Sequence, residues 1–246
     1  MGGGCLARRR VGLAGQLRPT EHHRPSGDSP DLTPHAEALH RELGATHTAR
    51  EVALPACREV IRACGSSIRA VHRLDAAQAV VLADRAEAAL RRAQEALGPF
   101  PALAASGPLH DAEKEYAEAR LTAAMVAATP LPSFTDLAVQ ASAWARGLAE
   151  AATELRRHLL DRLRDGEVDV AERLLASMDA VYGLLLELDY PDAITAGLRR
   201  QTDALRAVLE RTRSDLTVTV LQERLRTSLG DRLEDGAGYP GPPPGV

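Results

Sequence analysis

Apolar residues recur along most of this chain at alternating steps of three and four. Leu174, Met178, Val181, Leu185 and Leu188 show it most cleanly, and such spacing draws one apolar stripe down an α-helix. No stretch alternates apolar and polar residues between turn signals, so the pattern predicts helices and no sheet. A first long helix, from about Thr48, carries Val60, Ile61, Ile68 and Val71, and a second spans about Asp75 to Leu97 before Gly98-Pro99. A helix from about Leu109 to Ala128 meets Pro130 and Pro132. The next, capped by Ser133, covers about Phe134 to Arg164 and ends at Asp165-Gly166. Two more, over Val168 to Leu188 and about Ile194 to Leu229, flank the breaker Asp189-Tyr190-Pro191. The last of these turns Leu198, Leu205, Leu209, Leu216 and Leu225 inward. The predicted fold is an all-α bundle of long antiparallel helices.

The termini read differently. Residues 1–47 form an N-terminal extension, rich in Gly, Arg, Pro and His to about residue 30 and largely disordered. Within it, Asp31 to Leu43 predicts a short helix with Thr33 as cap and Pro34 in the first position. Residues 48–229 make the helical domain, and 230–246 a disordered Gly/Pro-rich tail. Helices of thirty-odd residues, about 45 Å long, carry apolar stripes broader than one bundle buries, which predicts self-association.

Hydrophobic residues make up 45% of the chain but aromatics only 3%, so the core is aliphatic. Cys5, Cys57 and Cys64 form neither a CxxC pair nor a zinc-spaced cluster, a pattern that suits a reducing cytosol. No apolar run approaches the ~20 residues of a membrane span. The apolar stretch after Arg8, Arg9 and Arg10 is too broken for a signal peptide, and the expected location is cytoplasmic. A net charge of −4 means that any nucleic-acid surface must be a local basic patch. Lys114 is the only lysine, and the arginine codons of a GC-rich genome account for the rest of the cationic charge.

Carboxylates carry the candidate chemistry. Glu115 and Glu118 stand at i, i+3 on one predicted helix, and Glu150 and Glu154 at i, i+4 on the next, so each pair shares a helix face. If these helices are antiparallel neighbours, the four acids converge into an oxygen-only site for a hard cation such as Mg²⁺ or Mn²⁺. A metal held there can activate water for phosphodiester hydrolysis, whereas solvated acidic faces produce the same spacing without any ligand. A di-iron bundle needs a Glu-x-x-His motif on two helices. His158 follows Glu154 by four and no second pair exists. Arg58, Arg62, Arg69 and Arg73 recur at helical spacing as a cationic strip that can track a phosphate backbone. The plain alternative is a solvated face paired with Glu51 and Glu59. His72 and His110 read as polar surface near helix ends. No Ser/His/Asp or Cys/His arrangement and no phosphate loop is present.

The stretch LDYPDAITAGLRRQTDALRAVLERTRSDLTVTVLQERL, from Leu188, resembles the C-terminal helix of translin-family proteins, most of all the archaeal members. Upstream, WARGLAEAATELRRHLLDRLRDGEVDVAERLL is similar to the family's YLLGVADLTGEL helix and the turn after it. CREVIRACGSSIRAVHR, from Cys57, is similar to its basic first helix. The resemblance covers roughly residues 50–229. It implies a seven-helix protomer that assembles into hollow homo-oligomers, often octamers, enclosing single-stranded RNA or DNA. In the subunit called translin-associated factor X, acidic residues on two helices form a Mg²⁺-dependent endoribonuclease site. The family's EYVE motif matches Glu115-Tyr116-Ala117-Glu118, and its Asp-x-x-x-Glu pair matches Glu150 and Glu154, with Glu150 one methylene longer than the family's Asp. The resemblance therefore implies metal-holding and catalytic roles for Glu115, Glu118, Glu150 and Glu154, and nucleic-acid contacts for Arg58, Arg62, Arg69 and Arg73. Because the translin subunit lacks the acidic set and binds without cutting, the alternative is a non-catalytic binder of single-stranded nucleic acid.

Overall fold

The computed structural model describes residues 30–105 and 107–236. Among them the order is α1 (Thr33–His72), α2 (Ala76–Leu97), α3 (Pro101–Ala104), α4 (Pro108–Ala127), α5 (Ala141–Arg164), α6 (Val168–Leu186), α7 (Asp192–Thr195) and α8 (Leu198–Gly236). The all-α prediction holds, with no strand among the described residues. Six helices are long; α3 and α7 are single turns, which makes eight where the family resemblance implies seven. No helix among the described residues is long and apolar enough to cross a membrane.

Several boundaries differ from the pattern-based ones, each for a local reason. The short helix at Asp31 and the long one from Thr48 are a single helix, α1, of 40 residues. Asp31, not Thr33, caps it, accepting from Thr33 N at 3.0 Å. Pro55 lies inside α1 and removes one backbone donor, yet the buried line of Ala49, Ala53, Cys57, Val60 and Cys64 runs past it unbroken. The short helix expected over Asp31–Leu43 is thus present and longer, with residues 33–47 helical throughout. Residues 1–29, with Cys5 and Arg8 to Arg10, lie outside the described residues. Backbone contacts divide the chain into Met1–Glu42 and Leu43–Val246. The described part of the first unit is exposed throughout; the second holds the core.

At its end, α4 closes with Ala128 in the left-handed region (φ 55°). Thr129 N donates to Ala124 O and Ala128 N to Met125 O, the paired bonds of a Schellman cap. Pro130 and Pro132 then forbid helix. Ser133 and Asp136 bond reciprocally, with Ser133 N to Asp136 Oδ2 at 2.8 Å and Asp136 N to Ser133 Oγ at 3.1 Å. Ser133 thus caps only one turn, which stops at Ala138 (φ 51°), so α5 begins at Ala141 and not at Phe134. Consecutive positive-φ residues, Ala196 and Gly197, split off α7 from the predicted last helix. Leu198, Leu205, Leu209 and Leu216 are buried as expected. Leu225 is not: it is 61% exposed, in a stripe with Val218, Leu221 and Leu229. α8 continues to Gly236, where a disordered tail from residue 230 was expected; residues 237–246 lie outside the described ones.

The hairpin of α1 and α2 is antiparallel, tied by Ser67 Oγ to Ala79 O at 2.8 Å and by Glu59 to Arg85 and Arg92. α5 and α6 form another hairpin around Gly166 (φ 81°). Between α4 and α5 the numbers climb together: His110 meets Ser142, Asp111 meets Arg146, and Lys114 meets Glu150. These two helices run in the same direction, not antiparallel, because the segment 128–140 carries the chain back to the start of α4. Buried Glu113 fixes that return, accepting from Gln140 N at 3.1 Å and from Gln94 Nε2 at 2.9 Å. A carboxylate at the N-terminus of α5 also meets the positive end of its dipole. α8 runs parallel to α5, since Arg146 meets Gln201 and Arg156 meets Thr212.

Candidate functional site

Parallel α4 and α5 pack through small residues, among them Ala117, Ala143, Ala151 and Ala152, all fully buried. Gly147 sits where the approach is closest. A Cβ there would lie 2.7 Å from Lys114 O, 2.8 Å from Ala117 Cβ and 2.9 Å from Glu118 N, closer than a side chain permits. This contact lies beside the acidic residues. One carboxylate oxygen from each of Glu115, Glu118 and Glu150 falls within 4.8 Å of the others. The i, i+3 pair on α4 meets the first acid of the α5 pair, although the helices are parallel.

The trio is densely bonded. Lys114 Nζ pairs with Glu115 Oε1 at 2.9 Å and with Glu150 Oε2. Gln201 Nε2, from α8, donates to Glu150 Oε1 at 2.5 Å. Burial pushes the Glu118 carboxyl up to about 8, with the negative charges of Glu150 and Glu115 adding to the shift. Desolvation alone would lower the Lys114 ammonium, but hydrogen bonds to Glu150 and Glu115 outweigh it and hold the group above its ordinary value. Carboxylates this close repel unless a proton or a cation sits among them. The oxygen-only set fits a hard divalent cation.

Glu154, one turn along α5 from Glu150, stands outside the trio. Its Oε1 accepts from His72 Nε2 at 2.6 Å, and that bond holds its carboxyl below the ordinary range despite partial burial. His72 is thus no surface residue; it is buried, and its Nδ1 has no partner. The ring of His158, one turn beyond Glu154, lies 6.2 Å from that of His72. His110 is buried as well, between Ser142 Oγ at 2.9 Å and Arg146 Nη1 at 3.2 Å. Both departures from the expected polar surface arise because neighbouring helices cover the ends on which these histidines sit.

The arginine strip is exposed, although the charge of Arg62 also acts on Glu59. Arg58, Arg62, Arg69 and Arg73 are all exposed and fall within about 60° of one another around α1, over about 22 Å. Glu51 is taken by Arg50, and Glu59 by Arg85 and Arg92. Arg69 leans on Ser66 Oγ at 2.8 Å. Among the described residues no acid is ion-paired to any of the four. The strip lies across α1 from buried Cys64, whose thiol is pushed up by burial and by the charges of Glu115 and Glu118. Strip and carboxylates therefore open on different sides of α1.

Sequence reasoning passed over three participants. Lys114 had a signal, being the only lysine. Gln201 and the His72–Glu154 bond had none, since their partners are 51 and 82 positions away.

Comparisons with known proteins agree with this architecture. No family profile matches the chain. An uncharacterized protein of Methanocaldococcus jannaschii is 28% identical over 192 residues, spanning 76% of this chain and 83% of the relative. The crystal structure of AfC3PO superposes with a TM-score of 0.71 at 29% identity, covering 76% of this chain and 98% of that one. AfC3PO in complex with duplex RNA gives 0.63 at the same identity. Apo-NeC3PO gives 0.68 at 17% identity, over 78% of this chain and all of that one, a likeness of fold. On the helical architecture and on its likeness to AfC3PO across nearly that protein's whole length, the chain has a translin-like fold of the C3PO type.

Proposed function

We propose that this protein is a Mg²⁺-dependent endoribonuclease that cleaves single-stranded RNA inside a homo-oligomer. The observation that carries the reading is the convergence of Glu115 and Glu118 from α4 with Glu150 from α5. Spacing along one helix does not produce such a meeting by itself. Glu115, Glu118 and Glu150 would hold the cation, with Mn²⁺ as substitute. A divalent ion bound there would activate water and offset charge on the phosphate. Glu154, oriented by His72 and held below its ordinary range by that bond, would be the residue one turn from Glu150 that could take a proton from water there. Gln201 holds Glu150 in place from α8. The exposed strip Arg58, Arg62, Arg69 and Arg73, on the other side of α1 from the carboxylates, would hold phosphates away from the cleaved bond without reading sequence. RNA as the ligand is supported by the duplex RNA complex of the similar AfC3PO. Self-association is supported by the exposed stripe of Val218, Leu221, Leu225 and Leu229 on α8.

The test is purified protein with a fluorescent single-stranded RNA, its duplex and its DNA counterpart, in Mg²⁺ or EDTA. Cleavage of the single strand in Mg²⁺ alone, abolished by Glu118→Ala, is expected. Retention of the RNA without cleavage would favour the non-catalytic binder. Cleavage by Glu118→Ala at the wild-type rate would overturn the assignment.

A further inference from the structure

The chain holds 30 lysines and arginines, and only one of them is lysine. A general preference for arginine explains the other 29 without reference to function, but it leaves the exception unexplained. That exception is Lys114, and its side chain is 10% exposed against Glu115 and Glu150. The chemistry of the position separates the two cations. A lysine ammonium is a compact point charge with three donors on a flexible stem, whereas guanidinium is a wide planar fork. Lys114 leaves from a helix turn whose carbonyl lies at the tightest approach of α4 and α5, beside Gly147. Its Nζ must reach carboxylates on both helices from there, and a point charge can sit between them where a fork cannot lie flat.

We propose that Lys114 is the positioning residue of the carboxylate site, a built-in monovalent cation that bridges Glu115 and Glu150 and competes with the divalent ion for their oxygens. The inference rests on the metal-site reading above and deepens it. With Gln201 on Glu150 Oε1 and Lys114 on Glu150 Oε2, both oxygens of that carboxylate already carry protein donors. A divalent ion entering the trio must therefore share or displace the ammonium. Two consequences follow. The bridge keeps the empty site from flying apart by charge repulsion, and it weakens divalent binding by occupying ligand oxygens.

The experiment is Mn²⁺ binding to the full chain, followed by calorimetry and by the electron paramagnetic resonance of free Mn²⁺, with no RNA present. Wild type is expected to take one Mn²⁺ per protomer. Lys114→Met, which keeps the stem and removes the charge, is expected to bind Mn²⁺ about tenfold more tightly, since a competing cation close to the ligands is gone. Lys114→Arg is expected not to restore the wild-type affinity. Wild type labelled with ¹³Cε-lysine needs no substitution. It gives a single resonance, and this should move on Mg²⁺ titration with the midpoint found for binding. Lys114→Met binding with wild-type or weaker affinity while its far-ultraviolet dichroism is intact, or a lysine resonance unmoved by saturating Mg²⁺, overturns the inference and leaves the metal site standing. Mn²⁺ binding to neither protein overturns both. Binding to Lys114→Met alone supports the competition in its extreme form.

Discussion

Replacing Gly147 by alanine probes the contact on which the site depends. A Cβ at that position falls 2.7 Å from Lys114 O and 2.9 Å from Glu118 N. Both atoms are backbone and cannot rotate aside, so α4 and α5 must part by about 0.7 Å to reach ordinary contact. Overpacking of a tight interface costs about 1–3 kcal/mol. Alanine returns about 1 kcal/mol through its better helix propensity, which leaves a net loss of up to about 2 kcal/mol. For a chain of this size that lowers Tm by up to about 8 °C. The same movement separates Glu150 from Glu115 and Glu118, so Mn²⁺ affinity should fall together with stability. Differential scanning calorimetry and Mn²⁺ titration on Gly147→Ala give both numbers. A variant that melts at or above the wild-type temperature, with unchanged Mn²⁺ affinity, would refute the close approach as the element that assembles the trio.

Three further outcomes are expected. The Glu118 carboxyl stands at about 8 in the fold against 4.5 ordinarily, so the folded chain keeps a proton that the unfolded chain releases between those values. Metal-free stability should therefore fall as pH rises from about 5 to about 8. Glu118→Gln should flatten that dependence, and Mg²⁺ should raise Tm more at pH 8.5 than at pH 6.5, because the proton must leave when the cation binds. Glu150→Gln should weaken Mn²⁺ binding by at least about tenfold, and Glu154→Gln by less, since Glu154 serves His72 rather than the trio. Equal losses in isothermal titration would make Glu154 a ligand. Removing Arg58, Arg62 or Arg73 singly should lower the salt dependence of RNA binding by about 0.7 in log–log slope each, and an unchanged slope would return the strip to plain solvated surface.

What was legible in the sequence was whatever local chemistry decides. The helix expected from about Asp75 became α2, starting at Ala76, and the apolar spacing of Leu174, Met178 and Val181 became a buried stripe on α6. The family resemblance located Glu115, Glu118 and Glu150 by motif before any geometry joined them. What failed was non-local. Ser133 reads as the cap of a long helix, yet Ala138 at φ 51° ends that helix after one turn. An alanine in the left-handed region leaves no trace in the pattern, unlike Gly197. The direction of α5 relative to α4 depended on Glu113 bonding Gln94 and Gln140, residues far apart along the chain. Leu225 lies nine residues beyond Leu216, about 180° around the helix from Leu198, Leu205, Leu209 and Leu216, so the periodicity itself turns it outward, where it is 61% exposed. Glu154 has the spacing of a fourth ligand. Only the placement of His72 at the end of α1 shows that its carboxylate is engaged elsewhere.

The central claim is that three carboxylates from two parallel helices hold one divalent cation. Mn²⁺ soaked into crystals of the full chain, with anomalous diffraction recorded at the manganese edge, tests it most directly. The account predicts one anomalous peak per protomer among Glu115, Glu118 and Glu150, with Lys114 displaced from at least one of its carboxylate partners. Saturating Mn²⁺ with no peak there, and Lys114 still bridging Glu115 and Glu150, would contradict it.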